Sequence, residues 1–526
     1  MRRLSRCLLR GAAVCLMFFA TGSASAQTEA EGRAIYRAHC AQCHGADRLG
    51  QIGPALLPQN LKRLRAKRAA GVVAKGRPAT QMPGFGGKLS TQQIDAVVGY
   101  IFTPLAKMPR WDLAEMRASH VVHPAQRPMV ERPMFDADPL NVFVVVESGD
   151  HHVTILDGDR FEPITRFKSR IALHGGPKFT ADGRYVYFAS RDGWITKYDL
   201  YALRVVAEIR AGINTRNIAV SDDDKTVAVA NYLPHSLVLL DGADLKPIKV
   251  IPVRDRRSKK TSRVSAVYQA APRKSFIVAL KDLPELWEIS YAANPPPVYS
   301  GLVHSHEKGM VEALAEAGRF PVRRIQLDAP MDDFFFDQKY RNLIGSARES
   351  RSAVVVNLNV GRPIKTLPLE GLPHLGSGIS WTYNGRRVMA TPHLKEAAVS
   401  VIDTSTWDVV KRIPTLGPGF FLRSHEKSPY AWVDVFFGPN RDAVHVIDKS
   451  TLEIVKTLRP ALGKTAAHVE FTRDGRYVLL SIWAMDGAIV VYDAKTLKEI
   501  KRLPMAKPSG KYNVYNKTRR SEGTSH

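Results

Sequence analysis

The chain has 526 residues, a formal net charge of +26 and four cysteines. That length exceeds one ordinary domain of roughly 100–200 residues unless a repeat fills most of it. With 44% hydrophobic and 24% charged residues, the composition excludes a disordered chain and a membrane bundle, while the basic balance invites a nucleic-acid reading that depends on the compartment.

Residues 1–26 read as a signal peptide. Arg2, Arg3, Arg6 and Arg10 precede an apolar run from Ala12 to Ala20, and Ser23-Ala24-Ser25-Ala26 supplies small residues for cleavage. The mature protein is expected to begin near Gln27 in the periplasm, exported by the general secretory route rather than the twin-arginine one. No later stretch approaches the roughly 18 apolar residues of a membrane span, so no integral membrane anchor is expected. Loss of four arginines and no acid lowers the +26 to +22, and export removes nucleic acid as a partner. Cys7 and Cys15 leave with the leader. Cys40 and Cys43 then sit in one tight motif, which cannot supply a disulfide framework.

Residues 27–108 read as a small all-helical domain. Cys40-Ala-Gln-Cys43-His44 has the C-x-x-C-H spacing at which two thiols form thioethers to haem vinyl groups and the adjacent imidazole binds the iron. The rival reading is a redox or zinc CxxC. Export, the immediate His44 and the lack of a second CxxC weigh against it. Thirty-eight residues after His44, Met82 in Gln81-Met82-Pro83-Gly84-Phe85 would complete a His/Met site; otherwise it is core filler. With Gly53-Pro54, these features resemble class I cytochromes c. Glu29 to Cys40 is expected to be helical. Ser90-Thr-Gln-Gln93 is a capping box for a second helix carrying Ile94, Val97, Val98 and Ile101 on one face and ending before Pro104. A covalent haem c with both axial positions filled implies one-electron transfer.

Residues 109–139, with Pro124, Pro128 and Pro133, read as a linker. From 140 onwards an apolar strand ending in an acid or amide recurs, at Asp157, Asp199, Asp241, Glu288, Asn357, Asp403, Asp448 and Asp493. The spacings are 42, 42, 47, 69, 46, 45 and 45 residues, the period of a β-propeller blade. Residues 140–526 are therefore expected to form an eight-bladed β-propeller, with an insertion near 296–330 that holds His304, His306 and a helix from Lys308 to Ala317. Asp182-Gly-Arg184 and Asp474-Gly-Arg476 read as hairpin turns within blades.

The combination resembles the haem d1 family, which includes the cytochrome cd1 nitrite reductases and relatives in haem d1 assembly. The carrying residues are Ile171-Ala-Leu-His174, Ser190-Arg191-Asp192, Leu372-Pro373-His374-Leu-Gly-Ser-Gly378, Ala390-Thr-Pro-His393-Leu394 and Pro508-Ser-Gly-Lys-Tyr-Asn-Val-Tyr515. The resemblance implies a propeller that holds non-covalent haem d1 or dihydro-haem d1, with His174 as iron ligand and Arg191, Arg216 and Arg263 facing the tetrapyrrole carboxylates. Bidentate guanidinium pairs suit such a ligand.

Departures from the nitrite reductase pattern are informative. Of that group's two distal histidines, only the second is matched, by His374; Phe336 stands at the first. His468 has no counterpart there. Together with the Asn-Lys-Thr and Glu-Gly-Thr-Ser-His ending, this resembles the haem d1-assembly members of the family more than the reductases, and that resemblance implies an oxidoreductase that oxidises a propionate of dihydro-haem d1 to an acrylate in the last step of haem d1 biosynthesis, passing electrons to haem c. His374 and His468 are the candidate bases, and either could instead ligate the iron. The partners implied are a periplasmic electron acceptor and a nitrite reductase that receives finished haem d1. The alternatives are a nitrite reductase forming NO and a non-catalytic haem d1 carrier.

Overall fold

The computed structural model describes residues 27–519 except 62–63, 78–81, 125–129, 174–175, 301–313, 316–317 and 347–350. The expected leader, His174, His304 and His306 lie outside the described residues. The chain divides into two compact units, Met1–Arg110 and Trp111–His526.

The first unit is helical over 27–39, Ala41–His44, Pro58–Leu61, Ala66–Lys75 and Thr91–Ile101. Ser90 caps the last of these. Its Oγ accepts from Gln93 N at 3.2 Å and the Gln93 side chain accepts from Ser90 N at 2.9 Å, which satisfies two otherwise orphaned donors. Ile94, Val97, Val98 and Ile101 are buried against Ile35, Tyr36, Leu61 and Val73, as the helical spacing requires. Helix 27–39 meets Thr91–Ile101 where Gly32 faces the Ala96 carbonyl too closely for any Cβ, and there Tyr36 packs on Tyr100 at 5.4 Å.

The second unit is a propeller of eight antiparallel blades. Blade 1 joins Phe143–Glu147, His152–Leu156 and Pro163–Lys168 to Pro508–Asn513, the last strand of the chain, which occupies the innermost place. Blades 2 to 8 span 178–210, 214–252, 264–326, 333–367, 379–414, 422–458 and 466–505. Apolar side chains from neighbouring blades interdigitate: Leu237 and Leu239 of blade 3 meet Phe276, Val278 and Trp287 of blade 4, and Ile489 and Val491 of blade 8 meet Phe143 and Val145 of blade 1.

The recurring acid has a local cause. It ends the third strand, and its carboxylate accepts the backbone N–H groups of the turn that follows: Asp157 from Asp159 and Arg160, Asp403 from Ser405 and Thr406, Asp493 from Lys495 and Thr496. Asn357 does the same with its amide oxygen. Such Asx turns let a short connection bury its donors. Glu288 is the exception, because it pairs with Arg273 and Arg323 instead.

Two segments differ from expectation. The insertion falls between the third and fourth strands of blade 4, and within the expected helix 308–317 the described Leu314–Ala315 is a strand paired with Tyr299–Ser300. The rest of that helix lies outside the described residues. Within 109–139, Leu113–Ser119 is a helix with a capping box at Asp112, and Val121–Val122 adds an outer strand to blade 2.

Candidate functional site

Cys40, Cys43 and His44 lie where helix 27–39 gives way to the short turn Ala41–His44. Both thiols are free and partly buried. Burial, reinforced by Cys43, raises the Cys40 thiol to about 11, the reverse of the activated thiolate of a redox pair. His44 Nδ1 donates to the Pro54 carbonyl at 2.8 Å, so Nε2 keeps its lone pair, and burial lowers the pKa of the ring so that it stays neutral. Gly53 is required here: a Cβ would lie 2.5 Å from His44 Cε1. These are the properties of an oriented axial ligand. Met82 packs against the same core, and its carbonyl accepts from Arg77 N at 3.1 Å, which pins its loop to the end of Ala66–Lys75. The residues present fit haem c.

In the propeller, the first strand of every blade lines the centre of the ring, and the expected site residues of the described set gather there or at the adjoining turns. Arg191 lies in a turn of blade 2 and Arg216 on the innermost strand of blade 3. Burial, together with the neighbouring Arg216, lowers the Arg191 guanidinium to about 10. Burial also opposes the charge on Arg216, but Tyr232, Tyr268, Asp333 and Asp332 outweigh it and raise its pKa. Tyr232 sits among these cations; burial works to raise its pKa, but Arg216, Lys281 and Arg191 prevail and lower it. Arg263 is differently placed. Its guanidinium forms a fork with Asp282, at 2.8 and 2.7 Å, so much of its charge is met within the protein.

His374 stands just before the first strand of blade 6, Ile379–Tyr383. Its Nδ1 donates to the Phe420 carbonyl at 2.6 Å, and Nε2 is 3.9 Å from Asp333 Oδ2. Asp333 is itself held by Tyr268 Oη at 2.8 Å and Gly376 N at 2.8 Å. Burial lowers the His374 pKa. His468 belongs to the first strand of blade 8, where the pairing register shifts between Ala467 and Val469 and φ of His468 is +57°. This bulge in a left-handed conformation aims the ring out of the ladder. His468 Nδ1 faces the Lys511 amide N–H at 3.5 Å, and Nε2 has no hydrogen-bond partner among the described residues. Burial first, then Lys511 and Arg423, hold its pKa well below the ordinary value. The ring lies 4.7 Å from that of Phe421, which is 6.5 Å from His374, and 5.0 Å from Tyr512.

Phe336, at the expected position of a distal histidine, packs between blades against Phe334 and Tyr340. The residue of that strand that reaches His374 is Asp333, which sequence reasoning passed over together with Tyr232, Tyr268, Arg423, Asp434 and Tyr512. Alternation was the available signal: Phe334 and Phe336 share one face and Asp333 takes the other. His393, quoted for the resemblance, is a satisfied core residue bonded to Glu370 O and Ser400 Oγ.

Residues 137–517 match the model of the cytochrome D1 heme domain. The chain belongs to that family. Residues 27–101 match a second model, cytochrome C oxidase, cbb3-type, subunit III, in keeping with a cytochrome c domain that carries haem c. Within the family, the chain is 55% identical to a dihydro-heme d1 dehydrogenase of Pseudomonas aeruginosa over 505 residues, covering 96% of this chain and 98% of that one. A solved structure titled dihydro-heme d1 dehydrogenase NirN in complex with DHE superposes with a TM-score of 0.78 at 55% identity, covering 93% of this chain and all of the other. A nitrite reductase of Stutzerimonas stutzeri is 27% identical over 546 residues, covering 94% and 93%. As a member of the family, the propeller is a haem d1 domain. No helix among the described residues is long and apolar enough to cross a membrane.

Proposed function

We propose that the chain is a dihydro-haem d1 dehydrogenase that converts one propionate side chain of its tetrapyrrole substrate to an acrylate. The observation that carries this reading is the presence, in one family haem d1 domain, of two imidazoles presented with opposite polarity beside a cation cluster.

The reaction removes two protons and two electrons from a CH2–CH2 unit, leaving CH=CH. With its Nδ1 proton committed to Phe420 O, His374 presents the lone pair of Nε2 and accepts the two protons in turn, releasing each to solvent, while Asp333 stabilises the imidazolium formed each time. With Nδ1 turned to an amide N–H, His468 presents Nε2–H as a donor, which suits it to orient the substrate carboxylate. Tyr512, beside it and raised to about 12 by burial, stays a neutral phenol of the same polarity. Arg191 and Arg216 are neighbouring, part-buried like charges, to which an anionic substrate would bring further counter-charge. Arg263 borders this cluster through Tyr232, 5.7 Å from its guanidinium. His174 is assigned as the substrate iron ligand on the family resemblance alone.

Cys40, Cys43, His44 and Met82 are assigned to haem c, which when bound takes up and releases one electron at a time. The electrons then leave to a periplasmic acceptor protein, and the finished product passes to a nitrite reductase. The leader at 1–26 supports a periplasmic location, with 27–108 as the electron-transfer domain, 109–139 as the connection and 140–526 as the substrate domain.

Incubating the haem c-loaded protein with dihydro-haem d1 and a one-electron acceptor tests the proposal. The expected outcome is conversion of the tetrapyrrole spectrum to that of haem d1 with two equivalents of acceptor reduced. Tight binding without conversion would leave a carrier.

A further inference from the structure

Asp434 closes the second strand of blade 7, Tyr430–Asp434, and is 1% exposed. Three backbone amides converge on its carboxylate. Phe420 N donates to Oδ1 at 2.7 Å, Phe421 N lies 3.2 Å from both oxygens, and His468 N donates to Oδ2 at 3.3 Å. One side chain therefore ties the loop before blade 7 to the innermost strand of blade 8.

Both imidazoles hang on the backbone so held. The Phe420 residue that gives its N–H to Asp434 gives its carbonyl to His374 Nδ1. The amide of His468 belongs to the bulged residue at φ +57°, a conformation that persists only where the surroundings enforce it. Three donors need two acceptor oxygens; an asparagine would offer one oxygen and turn an NH2 group on the remaining amide. Burial raises this carboxyl to about 7 in spite of those amides and Arg423.

We propose that Asp434 is the positioning residue that sets His374 and His468 in their relative placement, an inference that rests on the roles assigned to those two histidines above. The carboxylate touches no substrate in this scheme; it acts through the two backbone segments.

The test is Asp434→Asn in the haem c-loaded full chain, assayed with dihydro-haem d1 and a one-electron acceptor beside the wild type. We expect kcat to fall about 100-fold, the scale of a misplacement near 1 Å, with KM raised as well because His468 is displaced together with His374. The histidine imidazole 15N shifts should also move in the substrate-free protein. A folded Asp434→Asn protein with wild-type kcat overturns the proposal, as does one in which KM rises while kcat is kept. If Asp434→Asn does not fold, Asp434→Glu, which keeps the charge and moves it by one methylene, is read the same way. Failure of both to fold overturns the proposal, because the carboxylate would then be structural. A wild-type protein that binds dihydro-haem d1 and leaves it unoxidised defeats the dehydrogenase reading instead.

Discussion

His374 and His468 differ in what holds Nδ1: a carbonyl in one case, an amide N–H in the other. That difference makes one ring an acceptor at Nε2 and the other a donor, so replacing each by alanine should have unlike effects. His374→Ala should lower kcat by about 100-fold or more, as loss of a general base does, whereas His468→Ala should raise KM as well; steady-state kinetics separates the two. Because burial, with Arg216 and Arg423, lowers the His374 pKa against the pull of Asp333 and Phe420 O, the ring stays neutral as pH falls to the ordinary 6.5. The acid limb of the kcat profile is expected only below that pH. A limb at or above 6.5 would exclude His374 as the base. In the other unit, Gly53→Ala puts a methyl group 2.5 Å from His44 Cε1. This variant should lose the reduced haem c α-band or shift its potential, as visible spectroscopy and potentiometry would show.

At the scale of elements, the acid or amide that ends every third strand except that of blade 4 is a turn cap, and its value can be measured. Asp403→Ala removes the acceptor for Ser405 N at 2.8 Å and Thr406 N at 3.3 Å and should cost about 1–2 kcal/mol in denaturant unfolding. Burial opposes ionisation of Asp403, but Ser405 and Thr406 outweigh it and lower its pKa below 3.8. The folded state therefore binds this proton less readily than the unfolded chain. Its contribution is complete above 3.8 and is lost as pH falls through the depressed value. These caps were legible because an Asx turn is a local device: the residue and its donors are neighbours in sequence. The bulge at His468 was not, since it exists only as a register shift against Tyr477–Ile482.

For the whole molecule, the ring closes because Pro508–Asn513 pairs with Phe143–Glu147 from the other end of the propeller. A chain ending at Lys507 leaves the inner edge of blade 1 unpaired and removes Lys511, whose Nζ bonds Ser481 Oγ at 2.9 Å and the His468 carbonyl. Such a truncation should abolish cooperative unfolding of the propeller while the helical unit still takes up haem c; calorimetry and visible spectra on one sample would test both. The amino-acid sequence by itself determined the haem c motif, the capping box at Ser90, the count of eight blades and the family. All of these are written in local spacings or in a period, and local spacing survives without the fold. Tertiary structure alone decided which groups meet. Asp333 reaches His374 from another blade, Asp434 reaches His468 across 34 residues, and Arg263 is taken by Asp282. The physical reason is that in a propeller the distance between inner strands is set by closure of the ring, and no spacing along the chain encodes it.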